Sequence, residues 1–128
     1  MILGMGTDIV DLDRLEAAIG RGGDAFLKRV YTVNELAESR ERREYLGGRW
    51  AAKEAVAKAL GCGIGGACSF TDIEVIDAPS GAPELNCRAA AAIRLAERHG
   101  GLRWHVSISH ERAYAVATVI VESAEKSL

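Results

Sequence analysis

Asp8, Glu54 and Lys58 are the residues whose types and spacing offer chemistry. Asp8 lies in the otherwise apolar stretch Ile2 to Val10, and Glu54 and Lys58 stand four apart in the Ala-rich run Arg49 to Leu60. Two carboxylates with positions left for water and phosphate oxygens form a Mg²⁺ site that the substrate completes. Lys58, one turn beyond Glu54, is suited to hold or protonate a phosphate oxygen. Arg49 and Lys53, with Arg42 or Arg43, supply further positive charge for phosphate. This is an inventory for phosphoryl or pyrophosphate chemistry, where positioning and charge neutralisation carry most of the catalysis. Spacing alone leaves another reading open, in which Glu54 and Lys58 form an exposed surface pair worth about 0.2–0.5 kcal/mol. No Ser-His-Asp order and no zinc spacing competes.

These residues need elements to position them. Leu46 to Leu60 has the composition of a strong helix, ended by Gly61. At about 100° per residue, Ala51, Ala52, Ala55, Val56 and Ala59 share a small apolar face suited to close packing on a sheet. Glu54 and Lys58 flank one edge of that face, and Arg49 and Lys53 flank another. The helix begins near Arg42 and tolerates Gly47-Gly48. Ile2 to Val10 is expected as a strand on which Ile2, Gly4, Gly6, Asp8 and Val10 share a face. Gly4 and Gly6 imply close approach of another backbone or a ligand. If the helix lies on this strand by its Ala face, Glu54 comes towards Asp8.

Between these two elements, Leu12 to Ile19 is expected as a short helix closed by Gly20. Gly22-Gly23 is a break, and Ala25 to Val30 a second helical piece. Arg14, Arg21, Lys28 and Arg29 make this segment basic, either as ordinary surface charge or as a docking face for an acidic protein. Thr32 and Glu35 match a capping box and start a helix that runs to Ser39. Gly61 to Gly66 is a Gly-rich loop without the P-loop pattern. Phe70 to Asp77 and Pro83 to Cys87 are strands joined by a Pro/Gly turn, and Arg88 to His99 is a helix. Trp104 to His110 alternates, with His105, Ser107 and Ser109 on one face and His110 on the other. Tyr114 to Glu122 is the last strand. This order argues a single-domain α+β fold, with a mainly antiparallel sheet packed on the long central helix. The domain is expected over residues 1–122, with 123–128 as a polar tail.

Composition narrows the class. The 128 residues carry 16 basic and 18 acidic side chains, so nothing points to nucleic acid. The charge is uneven, however. Arg40 to Lys58 holds six basic residues against three acidic, which suits a phosphate-bearing ligand or an acidic partner. Three cysteines, in no metal spacing, fit free thiols in the cytoplasm. No apolar run approaches a transmembrane length.

Three segments together resemble the small phosphopantetheinyl transferases: Gly6-Thr7-Asp8-Ile9-Val10, Arg49-Trp50-Ala51-Ala52-Lys53-Glu54-Ala55-Val56-Ala57-Lys58-Ala59-Leu60-Gly61, and His105-Val106-Ser107-Ile108-Ser109-His110. Their order, spacing and the chain length all agree. The resemblance implies that the 4′-phosphopantetheine arm of coenzyme A moves to a serine of apo-acyl carrier protein, releasing adenosine 3′,5′-bisphosphate. It implies Mg²⁺ held by Asp8 and Glu54, with Lys58 on phosphate and assisting the leaving group. Glu54, or a water of the ion, would take the serine proton. Coenzyme A would be bordered by Arg49, Lys53, Gly61, Gly63, His105, Ser109 and His110. Arg14 matches a basic position that meets acidic carrier-protein residues, with Arg21, Lys28 and Arg29 nearby. A cytoplasmic homotrimer with active sites between subunits, serving lipid synthesis, is implied as well. Two other classes remain: a non-catalytic basic adaptor for an acidic protein, and a different Mg²⁺-dependent nucleotide enzyme.

Overall fold

The computed structural model describes residues 1–125. Strand β1 (Ile2–Asp11) pairs antiparallel with β5 (Tyr114–Ser123), and β5 pairs antiparallel with β4 (Leu102–His110), giving a three-stranded sheet in the order β1-β5-β4. Helix α3 (Arg43–Leu60) lies across one face of this sheet. Its Ala face makes the contact: Ala51, Ala52, Ala55 and Val56 are fully buried against Ala117, Val119 and Val121 of β5. Small side chains let the helix sit unusually low. A Cβ on Gly4 would come within 2.1 Å of the Ala59 carbonyl oxygen, and one on Gly6 within 2.0 Å of that of Ala55. The expected close approach at these glycines is therefore helix backbone.

The same contacts set the direction of α3. Ala59 meets Gly4 at one end of β1, and Gly47 lies beside Val10 at the other. The helix thus runs antiparallel to β1, and Asp8 falls level with its middle.

A separate hairpin pairs β2 (Ile73–Asp77) with β3 (Pro83–Cys87). Helix α2 (Val33–Ser39) lies beside β2, and α4 (Ala90–Arg98) precedes β4. The capping box is present: the Thr32 hydroxyl accepts from the Glu35 amide, and Glu35 Oε1 accepts from the Thr32 amide at 2.9 Å. Gly61, at φ 74°, ends α3.

Three expectations at element boundaries change. Phe70–Asp72, expected as the start of a strand, is a 3₁₀ turn, and β2 begins at Ile73. Gly20 closes nothing, because helical structure continues from Leu12 to Val30 as α1, and the kink falls at Gly23 (φ 58°, ψ −147°). A conformation that only glycine adopts at low cost is what breaks the helix there. At the other end, Ser123 still belongs to β5 and donates to the Met1 carbonyl, and the Ala124 amide donates to Gly101. Residues 126–128 of the expected tail lie outside the described residues.

Candidate active site

Alternation along β1 places Asp8 on the helix side of the sheet, two residues beyond Gly6. Lys58 reaches back from α3 and donates to Asp8 Oδ1 at 3.1 Å and to the Thr7 carbonyl at 2.9 Å. Its ammonium is half exposed, whereas the Asp8 carboxylate is largely covered. Glu54, one turn earlier, is partly buried on the same edge. Its carboxyl is held above the usual carboxylate range, chiefly by burial and then by the neighbouring Asp8 charge, with Lys58 pulling the other way. The structure thus brings Asp8, Glu54 and Lys58 into one electrostatic cluster at the surface.

A carboxyl whose ionisation is opposed by a neighbouring carboxylate makes, with it, a favourable place for a divalent cation, which relieves that repulsion. Among the described residues no group of three or more His, Cys, Asp or Glu side chains stands together. The donor set is two carboxylates. It fits Mg²⁺, which keeps water and takes phosphate oxygens, better than a metal needing a full protein cage.

The opposite edge of α3 behaves differently, and here an expectation is corrected. Arg49 and Lys53 were expected to meet coenzyme A phosphate. Instead the Lys53 amine is fully buried. It pairs with Glu35 Oε1 at 2.7 Å and donates to the carbonyls of Ile73 at 2.7 Å and Phe70 at 2.9 Å. All its donors are turned inward, and burial lowers its pKa while Glu35 pulls it back. Arg49 is nearly as covered. It donates to the Val75 carbonyl at 3.0 Å, pairs with Asp77 at 2.7 Å and lies over the Tyr45 ring.

These bonds form a ladder. Pairing with β3 leaves β2 with a second edge, whose polar groups belong to Ile73, Val75 and Asp77. Lys53 serves the Ile73 carbonyl, Glu35 the Val75 amide at 2.9 Å, Arg49 the Val75 carbonyl, and Glu38 the Asp77 amide at 3.2 Å. Four charged side chains from α2 and α3 take the place of a neighbouring strand. Buried backbone groups need partners, and this is how this edge obtains them.

Arg42 and Arg43 are also engaged within the chain. Arg42 donates to the Ser39 and Glu38 carbonyls at the end of α2. Arg43 pairs with Asp13 at 2.7 Å and donates to the Arg112 carbonyl.

The remaining expected residues separate by location. Gly61 and Gly63 (φ 66°) follow Lys58 directly in an exposed loop. His110 lies on the helix side of the sheet, in the row Val10–Ala115–His110, two pairing steps beyond the row of Asp8 and Ala117. His105 and Ser109 occupy the other face, where His105 Nε2 lies 3.1 Å from Glu122 Oε1. Within one chain the sheet separates these two from Asp8.

Arg14 and Arg21 border a cleft of about 420 Å³ between β1 and α1. Ile9, Val10, Asp11, Phe26 and Trp50 complete most of its lining. Lys28 and Arg29 are exposed on the second half of α1, and the Arg29 guanidinium lies over the Phe26 ring. The aromatic lining was missed from sequence, although Phe26 sits inside the basic segment and Trp50 follows Arg49 in the central motif.

The sequence profile of the 4′-phosphopantetheinyl transferase superfamily matches residues 4–119. The chain belongs to the 4′-phosphopantetheinyl transferase superfamily. It is 48% identical over 125 residues to a holo-[acyl-carrier-protein] synthase of Shewanella denitrificans, covering 95% of this chain and 98% of that one. The fold is similar to the crystal structure of the holo-[acyl-carrier-protein] synthase of Neisseria meningitidis, with a TM-score of 0.84, 40% identity, and coverage of 96% of this chain and 100% of that one. It is similar also to the Helicobacter pylori holo-[acyl-carrier-protein] synthase in complex with coenzyme A, with a TM-score of 0.83, 31% identity, and coverage of 92% and 99%. For a member of this superfamily, the cluster on the open edge of α3 is the candidate centre of transfer.

Proposed function

We propose that this transferase moves the 4′-phosphopantetheine arm of coenzyme A to a serine hydroxyl of apo-acyl carrier protein, giving the holo form and adenosine 3′,5′-bisphosphate. The observation that carries the reading is the convergence of Asp8, Glu54 and Lys58 from two elements onto one open edge, in a chain similar to a synthase crystallised with coenzyme A. Asp8 and Glu54 would hold Mg²⁺, whose chemistry is to neutralise the pyrophosphate charge. Lys58, half exposed, is free to turn from Asp8 to a phosphate oxygen and steady the leaving bisphosphate as its P–O bond breaks. Glu54 takes the serine proton as the new O–P bond forms. Gly61, Gly63 and His110 border coenzyme A on the same side of the sheet.

The cleft beside Asp8 suits the carrier protein. Arg14 and Arg21 offer positive charge to an acidic helix, and Phe26 and Trp50 offer it an apolar seat. Lys28 and Arg29 extend the charge.

The active unit is a homotrimer. The sheet face away from α3 carries Met5 and Ile9, 65% and 62% exposed, beside Val116 and Ile120. A copy packed there would bring His105 and Ser109 towards a neighbour's site, which a single chain cannot do. No helix among the described residues is long and apolar enough to cross a membrane, and a coenzyme A-dependent reaction of this kind belongs in the cytoplasm.

Incubation with coenzyme A, Mg²⁺ and apo-acyl carrier protein, followed by intact mass, tests the reading. The carrier gains the mass of one phosphopantetheine arm, and adenosine 3′,5′-bisphosphate appears. Complex formation without mass gain would support the basic adaptor instead. Light scattering of the purified chain tests the trimer.

A further inference from the structure

The transfer chemistry makes no use of the most deeply buried charges in the molecule, Lys53 and Glu35, both 0% exposed. A buried ion pair is a weak source of stability, since apolar residues of similar size often serve as well or better. Its partners point to another role. Besides Glu35, Lys53 holds the carbonyls of Phe70 and Ile73 and so fixes the short 3₁₀ turn Phe70–Asp72 against α3. The Phe70 ring lies against Trp50, with centroids 4.8 Å apart. Trp50 stacks on Phe26 at 6.0 Å and an interplanar angle of 11°. Phe26 and Trp50 are the aromatic wall of the cleft that also holds Arg14 and Arg21.

We propose that the Lys53–Glu35 pair is a positioning device for carrier-protein recognition, acting through Phe70 on the Trp50–Phe26 wall. It rests on the reading that this cleft receives the carrier protein. Lys53 touches neither substrate. It locks one carbonyl, that carbonyl sets the Phe70 ring, and the ring backs Trp50 from behind. Trp50 has no other aromatic neighbour among the described residues than Phe26 and Phe70. Without Phe70 in place, the Trp50 side chain would regain rotamer freedom and the apolar seat would lose its shape.

The test uses the full chain carrying Trp104→Phe, in which Trp50 is the remaining tryptophan. Into it go Glu35→Gln with Lys53→Met, a pair that leaves no lone buried charge, or separately Phe70→Leu, which removes the ring and keeps the ion pair. In each, the KM for apo-carrier protein rises by about tenfold while kcat and the KM for coenzyme A stay within about twofold, the pattern of lost uniform binding. Trp50 emission shifts to the red in both. A folded double variant with an unchanged carrier KM would overturn the proposal, as would a matching rise for coenzyme A. Should the double variant not fold, Phe70→Leu decides, and an unchanged carrier KM there overturns it equally. If the parent chain transfers nothing, the proposed function has failed on its own. The emission of Trp50 then decides the positioning, and no shift overturns it.

Discussion

Helix α3 carries two pairs of charged residues at the same i, i+4 spacing, and they lead opposite lives. Arg49 and Lys53 face the β2 edge, where the Lys53 amine and the Nε and Nη2 of Arg49 find carbonyls and carboxylates inside the fold. Glu54 and Lys58 face the open side of β1, where Lys58, half exposed, meets the Thr7 carbonyl and Asp8. Residue type does not separate the pairs; what stands opposite does. A strand edge has unpaired amides and carbonyls to satisfy, so the charges meeting it are consumed by the fold. Strand β1 is likewise an edge strand, paired among the described residues only to β5, but α3 gives its free edge a single half-exposed lysine, so the charges there remain available. A helix that buries its charges on one strand edge and leaves those facing the other half exposed has one structural edge and one chemical edge.

Substitutions that break this division should have effects of different kinds. The largest is on rate: Asp8→Ala or Glu54→Ala should lower transfer by about 10³-fold or more, with circular dichroism and melting nearly unchanged. Normal transfer by either variant would remove the metal assignment. Next comes Lys53→Ala, which strands Glu35 as a buried lone charge and should cost about 3–5 kcal/mol in denaturant unfolding. Lys58→Ala, the matching change on the open edge, should move stability by about 0–1 kcal/mol while greatly reducing kcat. Equal stability losses for the two lysines would collapse the distinction. A smaller effect lies in pH. Glu54's native pKa is above its unfolded value, so its contribution to stability is fully present below the unfolded value of about 4.3 and lost as pH rises through the native one. Glu54→Gln mimics the protonated form. In a chelator it should therefore melt higher than the parent at pH 7 and equally at a pH well below 4.3. A lower melting point at neutral pH would contradict the sign.

The open edge was legible in the sequence because its information is local. Glycines at alternate positions of a strand, an Ala face on a helix, and Glu-x-x-x-Lys on its margin together bring Asp8 and Glu54 near each other without further knowledge. The closed edge was not legible, because its partners lie far away in the chain. Glu35 satisfied a capping box, a complete local account, and so its second oxygen on Val75 and its bond to Lys53 stayed hidden. One trace was visible: Glu35 and Glu38 stand three apart on α2, Arg49 and Lys53 four apart on α3, and each pair shares a face suited to the other. The kink in α1 falls inside the expected Gly22-Gly23 break, and only the closure at Gly20 was misplaced, since helical structure carries on through it. The separation of His105 and Ser109 from Asp8 follows from β4 alternation, which was legible. That a single sheet puts the two faces out of each other's reach became plain only with the strands in order.

The side-chain ladder on β2 also bears on how the protein behaves when crowded with copies of itself. A bare strand edge is an invitation to any extended chain, and proteins commonly defend it with a proline, a bulge or an outward lysine. Here the defence is internal: the hydrogen-bonding positions are already filled by residues from α2 and α3, so an incoming strand finds nothing to pair with. The β2 edge of the hairpin is thus protected from strand addition for as long as those two helices stay docked. Loss of that docking would announce itself first as concentration-dependent aggregation, seeded from β2, before the sheet beneath α3 had begun to open.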